Sequence, residues 1–410
     1  MNRIEKLVYN LVKKYPGLKN FSRDLYQLIF SLKPTKRKDS EYEIKEREGY
    51  FFGFHDKVPW SEDNKKLLAH KFDIENRKIK KGDTVEIGYF HGDNFMKFKP
   101  LAETEAWNWQ QGSMLQWLKK EEIIFNYWNG NKNVAKVIDL DGNCIYQLPC
   151  PIGAVSHDGR YVLGYSFTRL NRGMPGYGYA NENDKNKNIL APQNAGLYLM
   201  DIETKKMEML FSINEIKNFK PVSSMKDAYH FFTHCLFSFD DSRFLFLHRW
   251  KRKGERLYSR LIACDIDGGN IHVFPTNGMV SHFTWIDEGK VFAYANTADD
   301  GDAYYIFKDK EASYYKISNK LYNSDGHPQY LPKNDLIVTD TYPDKYRIQK
   351  LSIFDIPGKE KNIIAKLKSP LGYKNEIRCD LHPRWDREGK MICFDSAHTG
   401  KRSLCTLKLK

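Results

Sequence analysis

The stretch HPRWDREGKMICFD, residues 382–395, holds the pattern that decides the fold. An aromatic residue, Trp385, leads into a short polar turn with Glu-Gly, and the apolar run Met391–Phe394 follows. A strand, a turn and a second strand make a β-hairpin. The arrangement recurs as PWSEDNKKLLAH around Trp60, QWLKKEEIIFNY around Trp117 and AVSHDGRYVLGY around Val155. It returns as LFSFDDSRFLFLH around Phe237, TWIDEGKVFAYA around Trp285 and QYLPKNDLIVTD around Tyr330. That makes seven copies, with anchors 57, 38, 82, 48, 45 and 55 residues apart. Most copies are followed by another strand pair, such as Leu197–Ile202 before Lys206–Phe211. Four strands in each repeat of about 45–55 residues mark the blades of a propeller. The sequence therefore predicts an all-β, seven-bladed β-propeller over residues 41–410. The strand 42–48 is expected to pair with the last blade and close the ring. The 82-residue gap holds a Gly- and Asn-rich surface loop near 170–195.

Composition agrees with such a fold. Of 410 residues, 14% are aromatic, which suits half-buried pleated faces, and no apolar run approaches the ~20 residues of a membrane span. The seven cysteines form no CxxC pair and read as buried thiols of a reducing compartment. The N-terminus lacks the apolar core and cleavage site of a secretory signal, so the expected location is cytoplasmic, with peripheral attachment to the inner membrane as an extension of it. The net charge of +13 fits an anionic membrane surface or an acidic polymer. No RNA-binding or zinc-finger signature accompanies it, so no nucleic acid is expected.

Residues 1–40 stand apart as a basic helical extension. Ile4, Leu7, Val8, Leu11 and Val12 share one helical face, and Phe21, Leu25, Leu28, Ile29 and Leu32 share another, before the basic run Lys33–Lys38. Two readings stay open for residues 1–38: packing on the side of the propeller, or contact with an anionic membrane.

Three residues before the anchor, blades 4 to 7 each carry a histidine: His234, His282, His327 and His382. The first three blades have Lys57, Met114 and Ile152 there. Equivalent positions lie on one circle about the axis, so the four imidazoles are expected at one mouth of the channel. A structural role at the start of the innermost strand is the alternative for any one of them. Converging neutral imidazoles suit a divalent metal such as Mn or Zn, and His282, His327 and His382 are the first candidates. Arg249 and Arg260 could neutralise a carboxylate or sulfate. Asp340, Tyr342 and Arg378 fall near the same strand ends, and His55 occupies the corresponding rim of blade 1. Trp107, Trp109, Gln110 and Gln111 precede blade 2 and read either as a sugar platform or as blade packing.

At HPQYLPKNDLIVTDTYPDKYRIQKL and HPRWDREGKMICFDSAHTGKRSL the chain resembles the repeat of TolB-like propellers. More narrowly, it is similar to oligogalacturonate lyase and related propeller polysaccharide lyases. The resemblance implies a divalent metal held by histidines and a glutamine, a separate histidine that takes a sugar proton, and an assisting arginine. Carried over, His282, His327 and Gln329 match the metal pattern and His234 the base. The expected function is then β-elimination on an acidic or sulfated oligo- or polysaccharide. Two other readings remain: a membrane-associated factor of surface-polysaccharide biosynthesis that works beside a glycosyltransferase, and a non-enzymatic scaffold.

Overall fold

The structure, a computed structural model, describes residues 27–30, 33–74, 76–317, 324–356 and 361–410. Seven antiparallel sheets follow one another along the chain as the blades of a propeller. Blade 1 comprises Tyr50–Phe51, Leu67–Lys71, Val85–His91 and Lys97–Thr104. Blades 2 to 6 repeat this meander over 116–148, 154–212, 229–273, 280–316 and 329–368. Blade 7 takes Arg384–Trp385, Met391–Ser396 and Ser403–Lys408 from the end of the chain. Its fourth strand is Ile44–Glu48, paired in register from Ile44 opposite Leu407 to Glu48 opposite Ser403. The ring closes as expected. Lys38–Asp39 adds a fifth strand to blade 6, so the end of the extension is sheet, whereas residues 27–30 are helical. The rest of the amphipathic lead, residues 1–26 and 31–32, lies outside the described residues, and no described helix is long and apolar enough to cross a membrane.

The repeat folds this way for reasons visible in its residues. In blades 1, 3 and 4 the hairpin turn is a Ser-x-Asp unit: Ser61, Ser156 and Ser238 donate to Asp63, Asp158 and Asp240, each at 2.6 Å. The same hydroxyls accept the N–H of Lys66, Tyr161 and Arg243, which returns the chain into the second strand. Anchor aromatics then fill the space between blades. Trp60, Phe237, Trp285 and Trp385 are buried. The Trp117 and Trp285 indoles donate to Pro59 and Leu236 in the preceding blade.

A second device ties each inner strand to its neighbour. A polar residue in the second strand grips the start of the next blade. His70 accepts the N–H of Ser113. Asn126 accepts from Ile152 and donates to its carbonyl. The two Asp340 oxygens reach His327 and the N–H groups of Leu381 and His382. Asp395 accepts from Phe52 and Gly53, which joins blade 7 to blade 1.

Because every meander starts at the same end, the loops between second and third strands, and those between blades, all emerge there. These are long: 72–84, 105–115, 165–195, 213–228 and 369–383. The expected insertion lies in the third of them and carries the helix Phe167–Gly173. Among the described residues the connections at the opposite end are mostly short turns. The histidines sit at the long-loop end.

The latch at Asp395 is also paired with Arg384 at 3.4 Å, both fully buried. Its removal leaves an uncompensated buried guanidinium and two orphaned N–H groups at the ring closure. Asp395→Ala is expected to lower the unfolding free energy by about 3–5 kcal/mol. Asp395→Asn, which keeps one acceptor, should lose less, as urea denaturation of the two variants will show.

Candidate functional site

The ring begins with a bend that only glycine permits. Gly53 has φ +119°, and a Cβ there would lie 2.8 Å from the Gln111 carbonyl carbon. The bend sends Phe54 into the channel, where its ring centroid lies 4.7 Å from His234, 5.1 Å from His382 and about 6 Å from His282 and His327. The four histidines therefore do not meet at one point. His282, His327 and His382 adjoin, with successive centroids 4.1 and 4.2 Å apart, and His55 joins them 5.6 Å from His327. His234 packs instead edge-on against Phe54 and at a tilt against Tyr177, with centroids 4.7 and 5.7 Å away. His234 and His382 hold φ of +59° and +44°, a left-handed conformation that costs a non-glycine residue on the order of 1 kcal/mol and persists only where the surroundings fix it.

Asp340 orients two of the rings. One oxygen accepts from both the backbone N–H and Nδ1 of His327, each at 2.8 Å, and the other accepts the N–H of His382 at 3.1 Å. Nε2 of His327 is thereby left as a free acceptor aimed away from the carboxylate. Burial opposes a charged ring, but Asp340 outweighs it and raises the His327 pKa above its ordinary value. Nε2 of His327, Nε2 of His382 and Oδ1 of Asp380 are all buried without a partner among the described residues. One ligand atom from each of these three residues falls within 4.8 Å of the others. Two imidazoles and a carboxylate make a donor set for a divalent ion.

This set differs from the sequence expectation in two members. Gln329 is not available, because its amide donates to the His55 carbonyl at 2.9 Å and accepts Trp385 N–H at 2.6 Å. His282 lies beside the set, but its Nδ1 faces Asp325 at 3.1 Å. Asp380 replaces them. It stands two residues before His382, and that short spacing was the available signal. Asp340 is a support for His327 and not a group free to meet substrate.

Beside the donor set lies a cationic lining. Arg249 is 7% exposed and has no hydrogen-bond or ion-pair partner among the described residues. Burial pulls its pKa below the usual arginine value, yet a guanidinium stays charged. Arg378, nearer the mouth, pairs with Asp380 and the Tyr177 hydroxyl and lies over the Tyr342 ring at 5.6 Å. Tyr177 comes from the insertion, so that loop roofs the channel, and sequence gave no code for it. Burial, and next Arg249, hold the His234 pKa well below its usual value, so that ring is neutral.

Below the ring, Asp56 and Lys57 pair at 2.8 Å with side chains 8% and 7% exposed, and Phe54, Asp56, His234 and His282 line a cavity of about 10 Å³. A larger recess of about 450 Å³ opens at the opposite end. Its Asp158 and Arg387 are already hydrogen-bonded to Ser156 and to the Trp60 and Ser61 carbonyls.

The remaining expectations divide. Trp107 and Trp109 are buried, 4.9 Å apart edge-on, and their indoles donate to the Asp83 and Arg77 carbonyls. They pack blade 1 and offer no sugar platform. Gln110 donates to the Arg378 carbonyl at 2.9 Å, whereas Gln111 is buried with both amide atoms unpartnered among the described residues. Arg260 is remote from the ring. It donates to the carbonyls of Ile216, Phe219 and Lys220 and, through Nε, to His248 Nδ1. Strand pairing sets Arg260 opposite His248 and Arg249 opposite Ser259, so the two arginines use opposite faces of blade 4.

No protein-family model matches the chain, and no curated protein matches it. Among solved structures, oligogalacturonate lyase in complex with manganese aligns over 92% of this chain and 96% of its own, with a TM-score of 0.63 and 15% identity. The oligogalacturonate lyase of Vibrio parahaemolyticus aligns over 92% and 99%, with a TM-score of 0.60 and 12% identity. TolB from Acinetobacter baumannii aligns over 84% and 80%, at 0.41 and 14%. The two lyase likenesses show a shared propeller fold.

The Arg260 contact fixes a chain of tautomers. Arg260 donates to His248 Nδ1, so His248 Nε2–H donates to His230 Nδ1 at 2.9 Å, and His230 Nε2–H donates to the Met225 carbonyl. Both rings must be neutral. Burial, with Lys217, Arg169 and Arg260 nearby, lowers the His230 pKa to about 4. The unfolded chain binds more protons between pH ~6.5 and ~4, so this stabilisation is complete above 6.5 and declines as pH falls through that window. Stability should drop by on the order of 3 kcal/mol over the window, and His230→Asn should flatten the decline in denaturation curves at each pH.

Proposed function

We propose that the chain is a metal-assisted lyase that cleaves an acidic, uronate-containing saccharide at the long-loop end of its channel. The observation that supports this reading is the pairing of three unpartnered buried donors with the unpaired, buried Arg249. Leaving such groups without partners costs free energy, and a divalent ion and a substrate carboxylate together would satisfy them.

His327, His382 and Asp380 fit a Mn²⁺ or Zn²⁺ ion by donor chemistry. Asp340 supplies the carboxylate behind His327 that commonly orients a metal-bound imidazole. An ion held there adds positive charge that favours loss of the proton beside a substrate carboxylate. Arg249 neutralises that carboxylate, and Arg378 with Tyr342 holds the chain at the mouth. His234, neutral and with Nε2 free, removes the C5 proton. The C5 electron pair then forms the C4–C5 double bond while the C4–O bond breaks. The departing oxygen leaves as an alcohol with the proton returned by His234. Two of the aligned structures are oligogalacturonate lyases, one of them in complex with manganese, which agrees with this reading.

Untagged protein incubated with polyuronates should produce the absorbance of an unsaturated uronate and lose it on chelation. His234→Ala should lower the rate by about 10²–10⁴-fold, and Arg249→Ala should raise KM and lower kcat together. A panel of polyuronates that gives no unsaturated product, with or without added Mn²⁺, overturns the proposal.

A further inference from the structure

The side chains at the two ends of the propeller differ in a way that catalysis does not require. Among the described residues, the exposed large apolar side chains include Leu28, Ile29, Ile189, Leu190, Val222 and Leu371, between 41 and 56% exposed. All six lie at the histidine end: on the helical segment, on the insertion and on loops 213–228 and 369–383. Of the others, Met96 lies at the turn end, and Ile145, Met207, Met209, Tyr315 and Ile363 are on the outer strands.

Charge follows the same division. At the histidine end exposed basic residues such as Lys36, Arg37, Lys187, Lys226, Lys253 and Lys374 stand among those apolar groups, and basic residues outnumber acidic ones there. Among the described residues of the turn end acidic residues predominate, with Glu62, Asp141, Asp240, Asp267, Glu288 and Glu311 exposed on turns of blades 1, 2, 4 and 5. The segment that carries Leu28 and Ile29 is fixed to this end. Gln27 donates to the Pro343 and Asp344 carbonyls and accepts from Arg347, and Phe30 packs edge-on against Tyr346.

We infer that the histidine end is a membrane-docking face that binds an anionic lipid bilayer. A soluble polyanion would use the lysines and have no need of exposed leucine and isoleucine. The interface of an anionic bilayer takes both, since apolar side chains enter the acyl boundary while lysines meet the headgroups. The acidic turn end is repelled from the same surface, which fixes the orientation. The channel mouth then faces the bilayer, and a glycan carried at that surface is the ligand within reach.

The full chain is mixed with vesicles of phosphatidylcholine alone, or of phosphatidylcholine with phosphatidylglycerol, and floated. It should float with the anionic vesicles only, and less as salt rises from about 0.1 to about 0.5 M. The double variant Ile189→Glu/Leu190→Glu should lose about tenfold or more of this partitioning, and Met96→Glu at the far end should lose none. Both sites are exposed, so an unchanged thermal midpoint will show that the variants fold. Equal flotation of wild type and the double variant overturns the inference, as does failure to bind anionic vesicles. Release by soluble polyuronate, with the double variant unimpaired, would reassign the face to a polyanionic glycan.

Discussion

One carboxylate holds the site together. Asp340 ends the second strand of blade 6, and its two oxygens accept hydrogen bonds from blade 6 and from the entry to blade 7. Burial works against its charge, yet the paired His327 ring and the N–H groups outweigh that and hold its pKa below the usual carboxylate range. The same contacts fix His327 and bring His382 beside it in a backbone conformation that a non-glycine residue seldom takes. The bond that closes the interface between two blades is thus also the bond that aims the histidines. Elsewhere around the ring the equivalent latch, at His70, Asn126 and Asp395, has only the first task.

The buried channel makes this economy effective. In a low dielectric, unpartnered nitrogen and oxygen atoms and an unpaired guanidinium are expensive, and the rigid blades prevent them from relaxing onto one another. Phe54 sits among the polar groups, its ring centroid 4.7 Å from His234 and 5.1 Å from His382. The Gly53 bend that seats the Phe54 ring thus sets how the histidines gather round it.

The fold was legible because each of its devices is local. An anchor aromatic, a Ser-x-Asp or Glu-Gly turn and an apolar run are contiguous, and their recurrence counted the blades. The histidine position was legible for the same reason, since it keeps a constant offset from the anchor. The latches were not, because their residue type changes from His70 to Asn126 to Asp340. Asp380 stands in view beside His382, but the family resemblance pointed to Gln329, whose amide is taken up by the His55 carbonyl and the Trp385 N–H. Trp107 and Trp109 were ambiguous because the 72–84 loop, whose carbonyls take their indole N–H groups, decides that they are buried. Arg260 was misplaced for want of the strand register, which sets it on the opposite face of the sheet from Arg249.

The account turns on whether Asp340 prepares His327 and His382 for an ion. Calorimetric titration of untagged, chelator-stripped protein with Mn²⁺ tests this most directly, with Asp340→Asn beside the wild type. The wild type should bind the ion stoichiometrically and Asp340→Asn about 10–100-fold more weakly while still folded. Equal affinity in the two proteins, or no binding by the wild type, would contradict it.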